Sequence, residues 1–210
     1  MKKCDVRDNE IAMPTAVTGL PTEAAPPRKR WTRKEVDDIS AAGLLNAERL
    51  ELIEGELIDK KGKRPPHVNC VVLLHAWLTA IFGGRFVVQE APIDVAPDDN
   101  PTNEPEPDLV VLNRDVVHFA RQRPRPEHLK LVIEVSDTTV AFDLTTKARL
   151  YARAGIRDYW VLDIARRRMT VHRDPQMGCY TSVAAYGAEE SVAPLAAPES
   201  QLRVADAFAD

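Results

Sequence analysis

The sequence predicts a mixed α/β (α+β) domain, with a mixed β-sheet core flanked by helices. Three observations predict it. Leu109–Leu112, Leu129–Val135 and Tyr159–Leu162 are short apolar runs with the β-branched content and length of buried strands. Two stretches of helical spacing, from about His67 to Phe82 and from about Asp143 to Ala154, lie among them. The order helix, several strands, helix, strand fits a mixed sheet with helices packed on it.

The bulk properties set limits. A chain of 210 residues suits one domain, or one domain with a tail. It is 44% hydrophobic and 29% charged, a globular composition, and no apolar run approaches the ~20 residues of a membrane span. No membrane partner is expected. A net charge of −4 argues against a broadly basic, unspecific nucleic-acid binder, but leaves room for local basic patches. Cys4, Cys70 and Cys179 have no ligand spacing and suggest no disulfide framework. No signal-peptide core follows Met1, so a reducing cytoplasm is the expected location.

The elements follow in order. Residues 1–30 carry Pro14, Pro21, Pro26 and Pro27 without sustained periodicity and are predicted to be a disordered tail. Its end, Arg28-Lys29-Arg30, reads as a solvated linker. The domain then spans 31–210. Thr32 caps a helix to about Ala42, with Glu35 completing a capping box and Gly43 at its end. RLELIEGELIDKKG is a hairpin turning at Glu54-Gly55. Pro65 and Pro66 precede the His67–Phe82 helix, which Gly83-Gly84 ends. Phe86–Glu90 and Pro92–Val95 read as strands, and Ala96–Pro105 as a proline-rich acidic loop. After Asp163, MTVHR and CYTSVAAY form a meander, Ser191–Leu195 a further strand and Val204–Phe208 a short closing helix.

The chemistry concentrates between Glu104 and Asp163. Asp108 opens one apolar run and Glu134 sits inside another. A carboxylate in a buried strand is costly unless a cation meets it. In LKLVIEVSD, Leu131, Ile133 and Val135 point to one face, and Val132, Glu134 and Ser136 to the other. Two strand-end carboxylates suit Mg2+ or Mn2+, which keep several waters. The competing reading pairs them with the loop arginines at 121–125. The next helix adds a cation. At ~100° per residue Lys147 falls within an apolar arc, with Arg149 and Arg153 opposite. A lysine facing a sheet either snorkels or meets acids.

These residues resemble a known family. Pro107-Asp108, a strand, then Glu134-Val135-Ser136 looks like the PD-(D/E)xK nuclease superfamily, whose fold is restriction endonuclease-like. The superfamily's lysine normally stands where this chain has Ser136. One branch moves it to the following helix, where Lys147 fits. ERLELIEGEL, His67, EPDLVVL, LVIEVSDTT, Asp143 with Lys147 and Tyr151, and AGIRDYWVLD together resemble the Uma-type putative endonuclease family over about residues 31–175. The resemblance implies Asp108 and Glu134 as metal ligands, with the Val135 carbonyl as an extra one, and Lys147 as the catalytic ammonium. It implies a further acid from the first core element, Glu51, with Glu54 as its rival. His67 reads as a helix cap, Asp143 as a helix start, and Tyr151, Tyr159 and Trp160 as core.

The function so implied is a Mg2+- or Mn2+-dependent endonuclease hydrolysing phosphodiester bonds in DNA. Lys147 would orient or deprotonate water, or stabilise charge on phosphorus. Arg121, Arg123, Arg125, Lys130 and Arg166 to Arg168 would hold the backbone of the nucleic acid. The alternative is an inactive module of the same fold that binds nucleic acid or a protein. Many nucleases of this fold dimerise, so a homodimer is compatible, though no residue pattern fixes it.

Overall fold

The computed structural model describes residues 27–60 and 64–208. Most of the expected tail, residues 1–26, lies outside the described residues. Its described end is tied to the domain. Arg28, Lys29 and Arg30 reach Glu56 at 3.9 Å, Glu35 at 2.6 Å and Glu54 at 3.7 Å. The Trp31 N–H donates to the Gly55 carbonyl at 2.8 Å, so the chain meets the hairpin before its first helix begins.

Helix α1 (Arg33–Ala41) starts on the expected capping box: Thr32 and Glu35 each satisfy the other's backbone N–H. Strands β1 (Leu50–Ile53) and β2 (Glu56–Asp59) form the hairpin. Its turn residues, Glu54 (φ +51°) and Gly55 (φ +75°), both take the left-handed conformation a two-residue turn of this kind needs. A Cβ on Gly55 would stand 2.9 Å from the Arg30 Cβ, so glycine is also required by the chain crossing above it.

Helix α2 (Pro65–Phe82) follows. It contains no Asp, Glu, Lys or Arg, and by length and composition alone it could cross a membrane, which the count of apolar runs did not anticipate. Its inner side, including Cys70, Val71, Leu74 and Leu78, is buried against the sheet. Strand β3 (Val87–Gln89) comes next. The expected strand at Pro92–Val95 is absent, although Ile93 and Val95 are buried. Its N–H groups go to separate acceptors: Ile93 to Pro105, Asp94 to Pro124, and Val95 to the Asn100 side chain. Without a continuous neighbour there is no ladder.

Strands β4 (Leu109–Leu112), β5 (Leu129–Ser136), β6 (Asp158–Asp163), β7 (Arg168–Gln176) and β8 (Cys179–Tyr186) complete a six-stranded sheet in the order β3-β4-β5-β6-β7-β8. All neighbours are antiparallel except β5 and β6. A parallel pair needs a crossover, and the 140–153 helical segment supplies it. That segment is not one regular helix, as the spacing suggested. It comprises α3 (Val140–Phe142), a wide π-helical turn (Asp143–Lys147) and α4 (Ala148–Arg153), ended by Gly155 at φ +73°. Short strands β9 (Ser191–Val192) and β10 (Leu202–Arg203) and a 3-10 turn (Val204–Ala207) close the chain. Cys70 is buried on the α2 side of the sheet.

The sheet separates two cores. Leu131, Ile133 and Val135 join the α2 side with Trp160 and Leu162. Val132 joins the opposite side with Ile53, Tyr151, Tyr159 and Val161. Each fully buried Leu or Ile contributes about 1.5–3 kcal/mol. The alternation of β5 therefore sends Glu134 and Ser136 toward the hairpin and the crossover.

Candidate functional site

Four acids and one lysine from four separate places meet on the hairpin side of the sheet. Glu51 comes from β1, Asp108 from the residue before β4, Glu134 from β5, and Asp143 and Lys147 from the π turn. All are buried, with 3–7% of their surface exposed. Lys147 Nζ lies 2.9 Å from Glu51 Oε1, 2.9 Å from Glu134 Oε1 and 4.0 Å from Asp143 Oδ1. Three carboxylates thus close on one ammonium.

Each acid is held by its own donors. Glu51 Oε1 also accepts the Glu106 N–H at 2.8 Å. Tyr151 OH donates to Glu134 Oε1 at 2.9 Å. Asp143 Oδ2 accepts from Ser136 Oγ at 2.5 Å and Thr139 Oγ1 at 2.7 Å. Asp108 Oδ2 accepts the Val135 N–H at 2.8 Å, and His67 Nε2 lies 3.2 Å from Asp108 Oδ1. His67 Nδ1 is buried without a hydrogen-bond partner among the described residues.

The crowding sets the charge states. Burial pushes the Glu134 carboxyl well above the usual carboxylate range; Lys147 opposes this, while Asp143, Glu51 and Asp108 add to it. Burial alone would lower Lys147, but Glu134, Glu51 and Asp143 together hold its ammonium well above the ordinary value. The depressed lysine expected for a general base is therefore not what this geometry produces. Burial and the nearby Glu134 carboxylate also raise Tyr151, keeping it a hydroxyl donor.

The structure brings Glu51, Asp108, Glu134 and Lys147, the set the resemblance implies, to the same side of the sheet. Of the two rival acids, Glu51 faces Lys147, whereas Glu54 sits in the turn and pairs with Arg153 and Arg30. The loop arginines do not take the strand acids: Arg123 pairs with Glu104 and Arg125 with Glu127. Through Glu104, whose N–H donates to the Leu52 carbonyl, Arg123 is drawn to the hairpin, whereas Lys130 lies near the start of β5, away from Ser136. Arg166 to Arg168 follow β6 at the end where Ser136 pairs with Asp163, the same end as the acids. His67 does not cap its helix; Arg64 is the N-cap residue and His67 turns to Asp108. Asp143 and Tyr151 were assigned only to a helix start and the core. Their four-residue spacing around Lys147 was the available signal.

Residues 39–205 match the family model Uma2, described as "Putative restriction endonuclease". The chain belongs to the Uma2 family. A solved structure of a putative nuclease belonging to DUF820 from Anabaena variabilis superposes on this Uma2 chain with a TM-score of 0.61. It covers 80% of this chain and 94% of that one, at 16% identity, and so shows a shared nuclease-like fold. No curated protein matches. In this Uma2 chain Ser136, which stands where a strand-borne lysine would be expected, donates to Asp143, and the ammonium reaches the acids from the crossover instead.

Proposed function

We propose that this protein is a metal-dependent endonuclease that hydrolyses phosphodiester bonds in DNA. The observation that carries the reading is the bridge from Lys147 Nζ to Glu134 and Glu51 beside the Asp108–Val135 contact. It groups the acid pair and ammonium such a reaction requires. Family membership supports nuclease chemistry; the metal and the substrate are the proposal.

The donor set suits a hard divalent cation. Among the described residues no three His, Cys, Asp or Glu side chains form a ready cage. Mg2+ needs none, since it binds through one or two carboxylates and retains waters. Glu134 Oε2 makes no hydrogen bond or ion pair among the described residues, since Lys147 and Tyr151 both address Oε1. Glu51, Glu134 and Asp143 also outnumber Lys147 in a buried space, an excess a cation would offset. Asp108, Glu134 and the Val135 carbonyl would hold it. Within an extended strand, N–H and C=O of one residue point the same way, and Val135 directs its N–H at Asp108.

When bound, Mg2+ or Mn2+ would supply Lewis acidity toward the phosphate and lower the pKa of water. The protein supplies the rest. Val135 and His67 fix the Asp108 carboxyl, and Tyr151 fixes one Glu134 oxygen. Lys147 keeps its proton and stabilises charge growing on the phosphoryl oxygens. Glu51 holds the lysine from the other side. Plasmid cleavage with Mg2+ or Mn2+ tests this reading. Loss of cleavage in D108A and E134A is expected. DNA binding without metal-dependent cleavage would reject it in favour of an inactive module.

A further inference from the structure

A second feature lies beside the acid cluster and plays no part in it. Between the hairpin turn and the outer face of the crossover is a cavity of about 510 Å³. Arg30, Glu54 and Glu56 line one side, and Thr146, Arg149 and Arg153 the other. Most of these charges cancel. Glu54 takes both Arg153 and Arg30, and Arg28 reaches Glu56 at 3.9 Å. Arg153 also pairs with Asp99 at 2.8 Å. Arg149 is the exception: it is exposed and makes no ion pair or hydrogen bond among the described residues. Thr146, one turn earlier on the same face, offers a hydroxyl that likewise has no partner among them.

These two donors flank Lys147 in sequence but face away from it, into the cleft. We infer that this cleft is an anion subsite for a backbone phosphate on the same nucleic-acid strand as the one cut, held by Arg149 and Thr146. The inference rests on the nuclease reading and extends it: the substrate is a polymer spanning both places. Charges along one DNA strand recur about every 3.4 Å of axis. A strand seated at the acid cluster therefore carries further phosphates past the outer face of the crossover, where Arg149 and Thr146 lie. A guanidinium suits a phosphate because its planar donors match two phosphate oxygens. Glu56 on the opposite wall works against the anion, which gives a test of opposite sign.

The experiment is fluorescence anisotropy of a labelled DNA duplex with the full chain, in Ca2+ in place of Mg2+ and over a range of salt. R149A should bind about threefold to tenfold more weakly near 0.1 M salt, with the log–log salt slope smaller by about one. E56Q should bind more tightly. Thermal melts should leave R149A unchanged, since its side chain is exposed. If wild type binds DNA and R149A matches it in affinity and slope, the subsite is wrong while the nuclease reading stands. If wild type shows no salt-dependent DNA binding, both fall together.

Discussion

Glu51 of the hairpin and Lys147 of the crossover meet at 2.9 Å, tying the separate β1–β2 hairpin to the crossover face of the six-stranded sheet. Removing the lysine acts on both chemistry and stability. K147M should lower cleavage by about 10²–10³-fold, the usual cost of losing one group that stabilises transition-state charge. It should also destabilise the fold by about 3–5 kcal/mol near neutral pH, because buried carboxylates lose their counter-charge. Chemical denaturation would measure this. An unchanged midpoint would show that the acids carry protons or water instead. E51Q keeps the shape and should cost far less stability.

Glu134 gives a pH and metal prediction. Burial raises its folded pKa above the unfolded value of 4.5. The folded state therefore binds its proton more tightly, and this group's contribution falls as pH rises from 4.5 toward the raised value. Without metal, E134Q should be less sensitive than wild type to rising pH in that window. Added Mg2+ or Mn2+ should raise the melting temperature of wild type by mass action and leave D108A and E134Q nearly unmoved. Equal shifts in all three proteins would place metal binding elsewhere.

His172 supplies a second pH dependence, remote from the acids. Its ring lies against those of Tyr159 and Tyr180, with centroids 5.2 and 5.5 Å away, and burial lowers its pKa from 6.5 to about 4. The lowered value means that the fold keeps it neutral. Its contribution is complete above pH 6.5 and is lost as pH falls toward 4, by about 3 kcal/mol in all. H172F should flatten the stability profile across that window relative to wild type, as read by urea titrations at pH 7 and 4.5. Parallel profiles would mean that the ring is protonated in the fold.

Asp158 tests the other end of β6. It is fully buried and accepts from Arg173 Nε at 2.9 Å, Trp160 Nε1 at 2.8 Å and the Leu195 N–H at 2.8 Å. D158A strands all three donors and should cost about 3–5 kcal/mol. The mutant should unfold at lower denaturant while its metal response is kept. A loss below 1 kcal/mol would mean that water replaces the carboxylate.

Much of this was legible because period and position are local properties. The alternation of LKLVIEVSD placed Glu134 opposite Ile133, and helical spacing turned Lys147 inward. Glu51 could not be separated from Glu54, because only the packing of the hairpin against the crossover shows which acid meets the ammonium. Pro92–Val95 has strand composition but no neighbouring ladder, and pairing is not written in composition. His67 looked like a cap because its partner, Asp108, lies across the fold. Asp158 opens β6, and its partners come from β6, β7 and the segment after β9, which no local pattern shows.

The wide turn at Asp143–Lys147 amounts to one surplus residue lodged in a helix. Length here is therefore as consequential as chemistry. Deleting Thr145 would let the backbone relax into ordinary α-helical winding and close the wide turn that carries Asp143 and Lys147. The distances among Asp143, its tether to Ser136 and Lys147 would shift, although every acid and the lysine remained in the gene. Comparisons that tally side chains without checking spacing would score such a relative as intact.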